Sequence, residues 1–254
     1  MRWSVTDILV TVLLAVAAAA QQIPAGTVLP VMLSTTLDSR HDKPGQAISG
    51  RLKQDVALPD GSVLPKDTRV VGHIVTVAPA TPGQAARLGL QFDYLVAKGK
   101  KISVSAHLRA LASMNEVFEA KMPTNAWDDY GTSPSDWNTV QVGGAGVYRG
   151  SGQLIANGDV VGRATDYGAV TARLMAAPQR GCTSGDDERD QSLWIFSPWA
   201  CGVYGLPDLT IAHTGRTTPV GLIELASNRF VRVDGGSGWL LRTEPASPGR
   251  QTQP

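Results

Sequence analysis

"ARLGLQFDYLVAKGKKISVSAHL", residues 86–108, decides the fold class. Leu88, Leu90 and Phe92 alternate with small or polar residues, Lys98 and Gly99 make a turn, and Ile102 and Val104 return with the same alternation. A side-chain period of two marks strands with one face against a core, and so short a connection favours antiparallel pairing. The stretch therefore reads as a β-hairpin.

The pattern extends in both directions. Upstream, Val28–Leu33, Ala47–Leu58 and Arg69–Ala78 are rich in Val, Ile and Leu and are bounded by Gly, Pro or Asp, as strands are. "PAGTVLP" at 24–30 and "PDGSVLP" at 59–65 are nearly the same phrase. In each, Pro fixes φ at the first central position of a turn, Gly accepts a positive φ, and Thr or Ser leads into an extended Val-Leu. Both read as strand-entry turns. Pro30 and Pro65 lack an amide donor, which places them at an edge, a bulge or a strand end. Two copies are too few for a solenoid.

Downstream, strands are expected at 159–162, 169–175, 192–196, 209–213, 220–226, 230–233 and 239–242. "RALASMNEVFEA" at 109–120 has helical spacing in Leu111, Met114 and Phe118. Residues 121–153 are rich in Gly, Asp, Asn, Ser and Thr and read as a long loop, with Trp127, Tyr130 and Trp137 arguing against plain disorder. The fold class that follows is mainly β: an antiparallel β-barrel or sandwich core with one short helix and a long aromatic loop. The expected divisions are a signal peptide at 1–20, a barrel-like β core at 21–108, helix and loop at 109–153, a β-rich second half at 154–242 that extends the core or adjoins it, and a disordered tail at 243–254.

Residues 8–20 are uncharged, follow Arg2 and Asp7, and end in four alanines. This reads as a secretory signal peptide cut after Ala20, with Ala18 and Ala20 as the small residues of the cleavage site. A retained N-terminal anchor is the alternative. The run is shorter than the roughly 20 apolar residues that span a bilayer, so no transmembrane segment is expected after cleavage. The chain is expected to be periplasmic or secreted. Its net charge of +1 gives no electrostatic case for a nucleic-acid partner. Cys182 and Cys201 are the only cysteines; in an exported chain they read as one disulfide, closing a loop of about twenty residues worth roughly 3 kcal/mol.

Over residues 23–107 these turns and strands resemble the C-terminal β-barrel domain of TrbI-type conjugal-transfer proteins, core-complex components of type IV secretion. The family has a Gly before an extended strand, an x-S-x-x-P-G turn, an Asp-Val pair closing a strand, and an I-P-x-G-[ST]-x-x-x-G strand. Gly26, Ser39 with Pro44 and Gly45, Asp55 with Val56, and Leu64, Pro65, Arg69 and Gly72 correspond to it here, with four residues between Ser39 and Pro44 where the family has two, and Asp67 stands where the family has Gly. The resemblance implies a barrel fold and a place in an envelope or secretion assembly. Over most of the chain after residue 20, including 107–114 and 200–227, the sequence is also similar to exported proteins of soil bacteria, notably acidobacteria, a likeness that implies no activity.

Catalytic and metal motifs are sparse. His73 and His107 lie in strands, where either could meet a ligand in a barrel interior or serve as a structural or surface residue. No His spacing suits zinc, and "SGDDERD" at 184–190 lacks the order of a calcium loop, so no metal or cofactor is expected. Asp208 and His213 could form the acid-base half of a hydrolase triad, but a G-x-S-x-G elbow is missing. The best candidate surface is the loop carrying Trp127, Asp128, Asp129, Tyr130, Asp136 and Trp137, whose aromatics could stack on sugars or anchor a protein, or could plug an open barrel end. The leading expectation is an exported, non-enzymatic cell-envelope module that binds a protein or glycan. An exported hydrolase using His213 and Asp208 and a TrbI-like assembly component are the alternatives.

Overall fold

A computed structural model describes residues 23–121, 138–140, 142–143, 146–150, 153–156, 159–163, 193–196, 200–212 and 220–245. The first run of strands is β1 (Val28–Leu33), β2 (Leu37–Asp38), β3 (Ala47–Leu52), β4 (Val56–Ala57), β5 (Val63–Leu64), β6 (Arg69–Ala78), β7 (Ala86–Ala97), β8 (Lys100–Ser103) and β9 (Ala106–Ala112). After helix α1 (Met114–Glu119) come β10 (Asn138–Val140), β11 (Gly146–Gly150), β12 (Gln153–Ala156) and β13 (Asp159–Arg163). The last are β14 (Gly202–Tyr204), β15 (Leu209–Ala212), β16 (Leu222–Ser227), β17 (Arg232–Val233) and β18 (Gly238–Thr243). The protein is mainly β, with one short helix among the described residues, as the sequence leads one to expect.

The principal sheet runs β14-β9-β18-β1-β3-β6-β7-β16-β15, with β8 also on β7. Its ladders are antiparallel except β14 on β9, which is parallel. Strands from both halves of the chain interleave here: β18 lies between β1 and β9, while β12 and β13 belong to a separate sheet. The sheet also curls. Residues 100–112 are one run of chain that bonds to β7 through β8 and to β18 through β9, while the Val104 and Ser105 backbones link to Asp93 and Glu244 across the break.

Burial follows this arrangement. In β3 and β6 inward residues alternate with exposed ones, because only one face is covered. In β1, β9 and β18 almost every residue is buried. Leu29, Val31, Leu33, Leu108, Leu111, Trp239 and Leu241 face the main core, whereas Val28, Ala110, Ala112 and Leu240 face a second cluster with Val117, Ile195, Phe196 and Tyr204. A strand covered on both faces reads as a continuous apolar run. Phe92 and Trp239 meet edge to face in the main core, centroids 6.1 Å apart, an arrangement worth about 1 kcal/mol beyond burial.

Four local expectations need correction. The segment 109–120 is strand β9 up to Ala112, and the helix covers only Met114–Glu119, capped by the Ser113 side chain. Its apparent apolar face is misleading: Met114 and Phe118 are 48% and 63% exposed, and Glu116 and Val117 are the buried residues. Within the expected loop 121–153, β10, β11 and the start of β12 belong to a four-stranded antiparallel sheet with β13; strand residues there are diluted by Gly, which hides the period. Residues 193–196 form a tight bridge between Leu193 and Phe196 and not a strand. Finally, Pro30 lies inside β1, where its missing amide donor coincides with the end of the paired ladder with β3. Its carbonyl accepts from Lys53 N, so its nitrogen faces the same side, beyond the last paired residue of β3, Leu52.

Candidate functional site

Two connections that meet beside β2 build a depression among the described residues. One is 205–208, between β14 and β15; the other is 228–231, between β16 and β17. The depression has a volume of about 150 Å³, with Leu206, Pro207, Leu209 and Phe230 as apolar walls and Asp208, Ser227, Arg229 and Arg232 as polar ones.

The sequence "NRFVRV" at 228–233 explains the polar wall. Strand alternation turns Val231 and Val233 into the core, both fully buried, and leaves Phe230 and Arg232 on the opposite side. β17 pairs with β2, setting Arg232 opposite Asp38. The Asp38 carboxylate is 6% exposed and is a hub: it accepts from Arg40 Nε at 2.9 Å and Nη2 at 2.6 Å and from Arg232 Nη1 at 3.3 Å. The Arg40 hydrogen bonds, outweighing the effect of burial, hold the Asp38 carboxyl well below the usual carboxylate range. Arg232 also reaches Asp234 at 2.7 Å.

Phe230 is flanked by cations. The Arg40 guanidinium lies 4.0 Å from the ring centroid and that of Arg229 lies 6.0 Å away, within cation–π range. Arg40 and Arg232 are committed to Asp38. Arg229 makes no ion pair among the described residues, although its amide donates to Ser227 Oγ at 3.3 Å. The depression thus presents an aromatic face, an uncommitted guanidinium and the exposed Asp208 carboxylate together.

The histidines lie elsewhere, on outward-facing positions of β6 and β9, and neither enters the core. His73 Nδ1 is 2.9 Å from Asp93 on the neighbouring strand. His107 Nδ1 is 3.3 Å from Glu244, whose other oxygen accepts from Gly221 N at 2.8 Å. Burial lowers the His107 pKa, and Glu244 opposes part of that shift. No group of three or more metal-ligating side chains occurs among the described residues.

Of the residues singled out in the sequence, Trp127, Asp128, Asp129, Tyr130, Asp136, Trp137, Cys182 and His213 lie outside the described residues. Asp208 lies in the depression. Cys201 is 2% exposed and is not a free thiol; its amide donates to the Tyr204 hydroxyl at 2.9 Å, while burial raises the Tyr204 pKa. The sequence reading missed Asp38, Arg40, Arg229, Phe230 and Arg232. The alternation in "NRFVRV" was a signal for the last two, but the approach of 38–40 to 229–232 is long-range and leaves no local trace.

No protein-family model matches the chain, and no curated protein matches it. No helix among the described residues is long and apolar enough to cross a membrane.

Proposed function

We propose that the chain is an exported, non-enzymatic cell-envelope module that binds a protein or glycan, delivered to the periplasm or medium after cleavage behind Ala20. The depression carries this reading: apolar walls, the Phe230 face and the Arg229 guanidinium suit holding a ligand. The aromatic loop with Trp127, Asp128, Asp129, Tyr130, Asp136 and Trp137 supplies a second contact surface. Its core is a barrel of the TrbI type. The curl of the main sheet through residues 100–112 supports that architecture, as does Asp67, whose φ of 64° is the conformation that the family's Gly would take without strain. Cys182 and Cys201 form its disulfide.

The test is capture of solubilised envelope protein and of purified peptidoglycan by residues 21–254 in the oxidised state. A partner held by the wild type and lost when Trp127 and Trp137 are both changed to Ala supports the module and its loop; an envelope fraction that neither protein captures overturns it. Alkylation with and without reductant reports on the disulfide.

The hydrolase reading retains Asp208, which shares the depression with Ser227. Yet the sequence lacks the G-x-S-x-G elbow that would supply a nucleophile. Turnover of a chromogenic ester that is abolished by His213→Ala would reverse this preference.

A further inference from the structure

We infer that the depression between 205–208 and 228–232 recognises the C-terminal residue of a peptide that ends in an apolar side chain. The inference rests on the binding-module reading and names the ligand class for it.

Volume comes first. A cavity of roughly 150 Å³ takes about one benzene-sized group, so the depression of about 150 Å³ has room for a single side chain. Leu206, Pro207, Leu209 and Phe230 make the surroundings apolar. Charge comes second. The cations around Phe230 are not equivalent: Arg40 and Arg232 are neutralised by Asp38 and Asp234, which leaves Arg229 as the guanidinium with no ion-pair partner among the described residues. Its planar fork of donors matches a carboxylate, which can accept two parallel bonds.

Asp208 narrows the class further. A carboxylate on the rim repels a ligand that is purely anionic, and it needs a donor from whatever binds. A terminal peptide residue offers the required set on one small frame: a carboxylate for Arg229, a backbone N–H for Asp208 and a side chain for the apolar walls. A phosphate or sulfate ester has the anion but lacks the donor, and a neutral sugar has donors but no anion.

The experiment is a two-dimensional ¹H–¹⁵N titration of oxidised residues 21–254 with N-acetyl-leucine and with N-acetyl-leucinamide, which lacks the carboxylate. The acid should shift the amides of Ser227, Arg229 and Phe230 saturably, and the amide probe should bind about tenfold more weakly, the loss of one charge-assisted contact. Arg229→Gln should reduce the acid to the level of the amide probe. Arg69→Gln, an exposed position on β6, should leave both probes unchanged. Asp208→Ala should weaken the neutral amide probe, which loses its acceptor and gains nothing from relief of charge repulsion. Equal affinity for the two probes, or no saturable shift at these amides, overturns the inference. If Arg229→Gln still captures envelope material while the wild type ignores the acid, this inference fails and the binding-module reading stands.

Discussion

The two copies of the Pro-x-Gly-[Ser/Thr]-Val-Leu-Pro phrase make the same turn and then meet different fates. Gly26 and Gly61 have φ of 86° and 79°, so the local conformation repeats. The first copy, however, is tied across 216 positions to Thr243: Thr27 N donates to its Oγ1 at 2.9 Å, and that hydroxyl donates to Pro24 O at 2.6 Å. The second is tied to itself. Ser62 donates to Asp60 from both N and Oγ, and Leu58 N donates to Ser62 O. One copy opens a six-residue strand at the centre of the main sheet, the other a two-residue strand in a separate ribbon. A turn motif sets direction, and distant partners decide what that direction leads into.

Leucine truncation should show the largest contrast. Leu29 is fully buried between strands on both sides, so Leu29→Ala should cost about 3–5 kcal/mol and lower protection from hydrogen exchange throughout the main sheet. Leu64 is also buried, at 3% exposure, but belongs to the ribbon. Leu64→Ala should cost about 2 kcal/mol, with exchange rising chiefly in 53–68. Equal losses spread over the same amides would break the distinction between the copies. Thr243→Val comes next. It deprives Thr27 N and Pro24 O of a buried partner and should cost about 1–3 kcal/mol in a denaturant titration; no equivalent long-range substitution exists for the second copy.

Much of the sheet was legible because its strands have one wet face. Arg69–Ala78, with one wet face, is read with the boundaries the structure gives; so is Val28–Leu33, which is covered on both faces but is announced by the Pro-x-Gly-Thr turn before it. Legibility failed where a strand covered on both faces has no such turn to mark it. In 109–120 the Leu111 to Phe118 spacing imitates a helix, since Ala110 and Ala112 are buried by a second cluster that local sequence does not announce. It failed again in β11, whose Gly146 and Gly150 dilute the period. The candidate site was legible only at Asp208. Its other parts converge through the pairing of β2 with β17, separated by 194 positions at Asp38 and Arg232, and no periodicity encodes such a meeting.

The carboxylates repeat the contrast between distant and local partners. Asp38 bridges elements far apart in sequence, and Arg40 holds its pKa below the ordinary 3.8. A depressed folded-state pKa contributes stability that is present above the unfolded value and is lost as pH falls towards the folded one. Thermal stability should therefore decline as pH drops below about 4, and Asp38→Asn should be less stable at neutral pH with that acid limb flattened. A wild-type acid limb in this variant would show that the Arg40–Asp38 pair does not stabilise the fold.

Asp60 should give the smallest effect, and it isolates what the turn contributes alone. Hydrogen bonds from Ser62 lower its pKa, but its partners lie two residues away on an exposed turn. Such bonds exchange readily for water, and Gly61 keeps its left-handed conformation without them. Asp60→Ala should leave the melting temperature of the main sheet unchanged and loosen only the amides of 58–62. A global loss like that of Thr243→Val would mean that the second copy, like the first, is held from a distance.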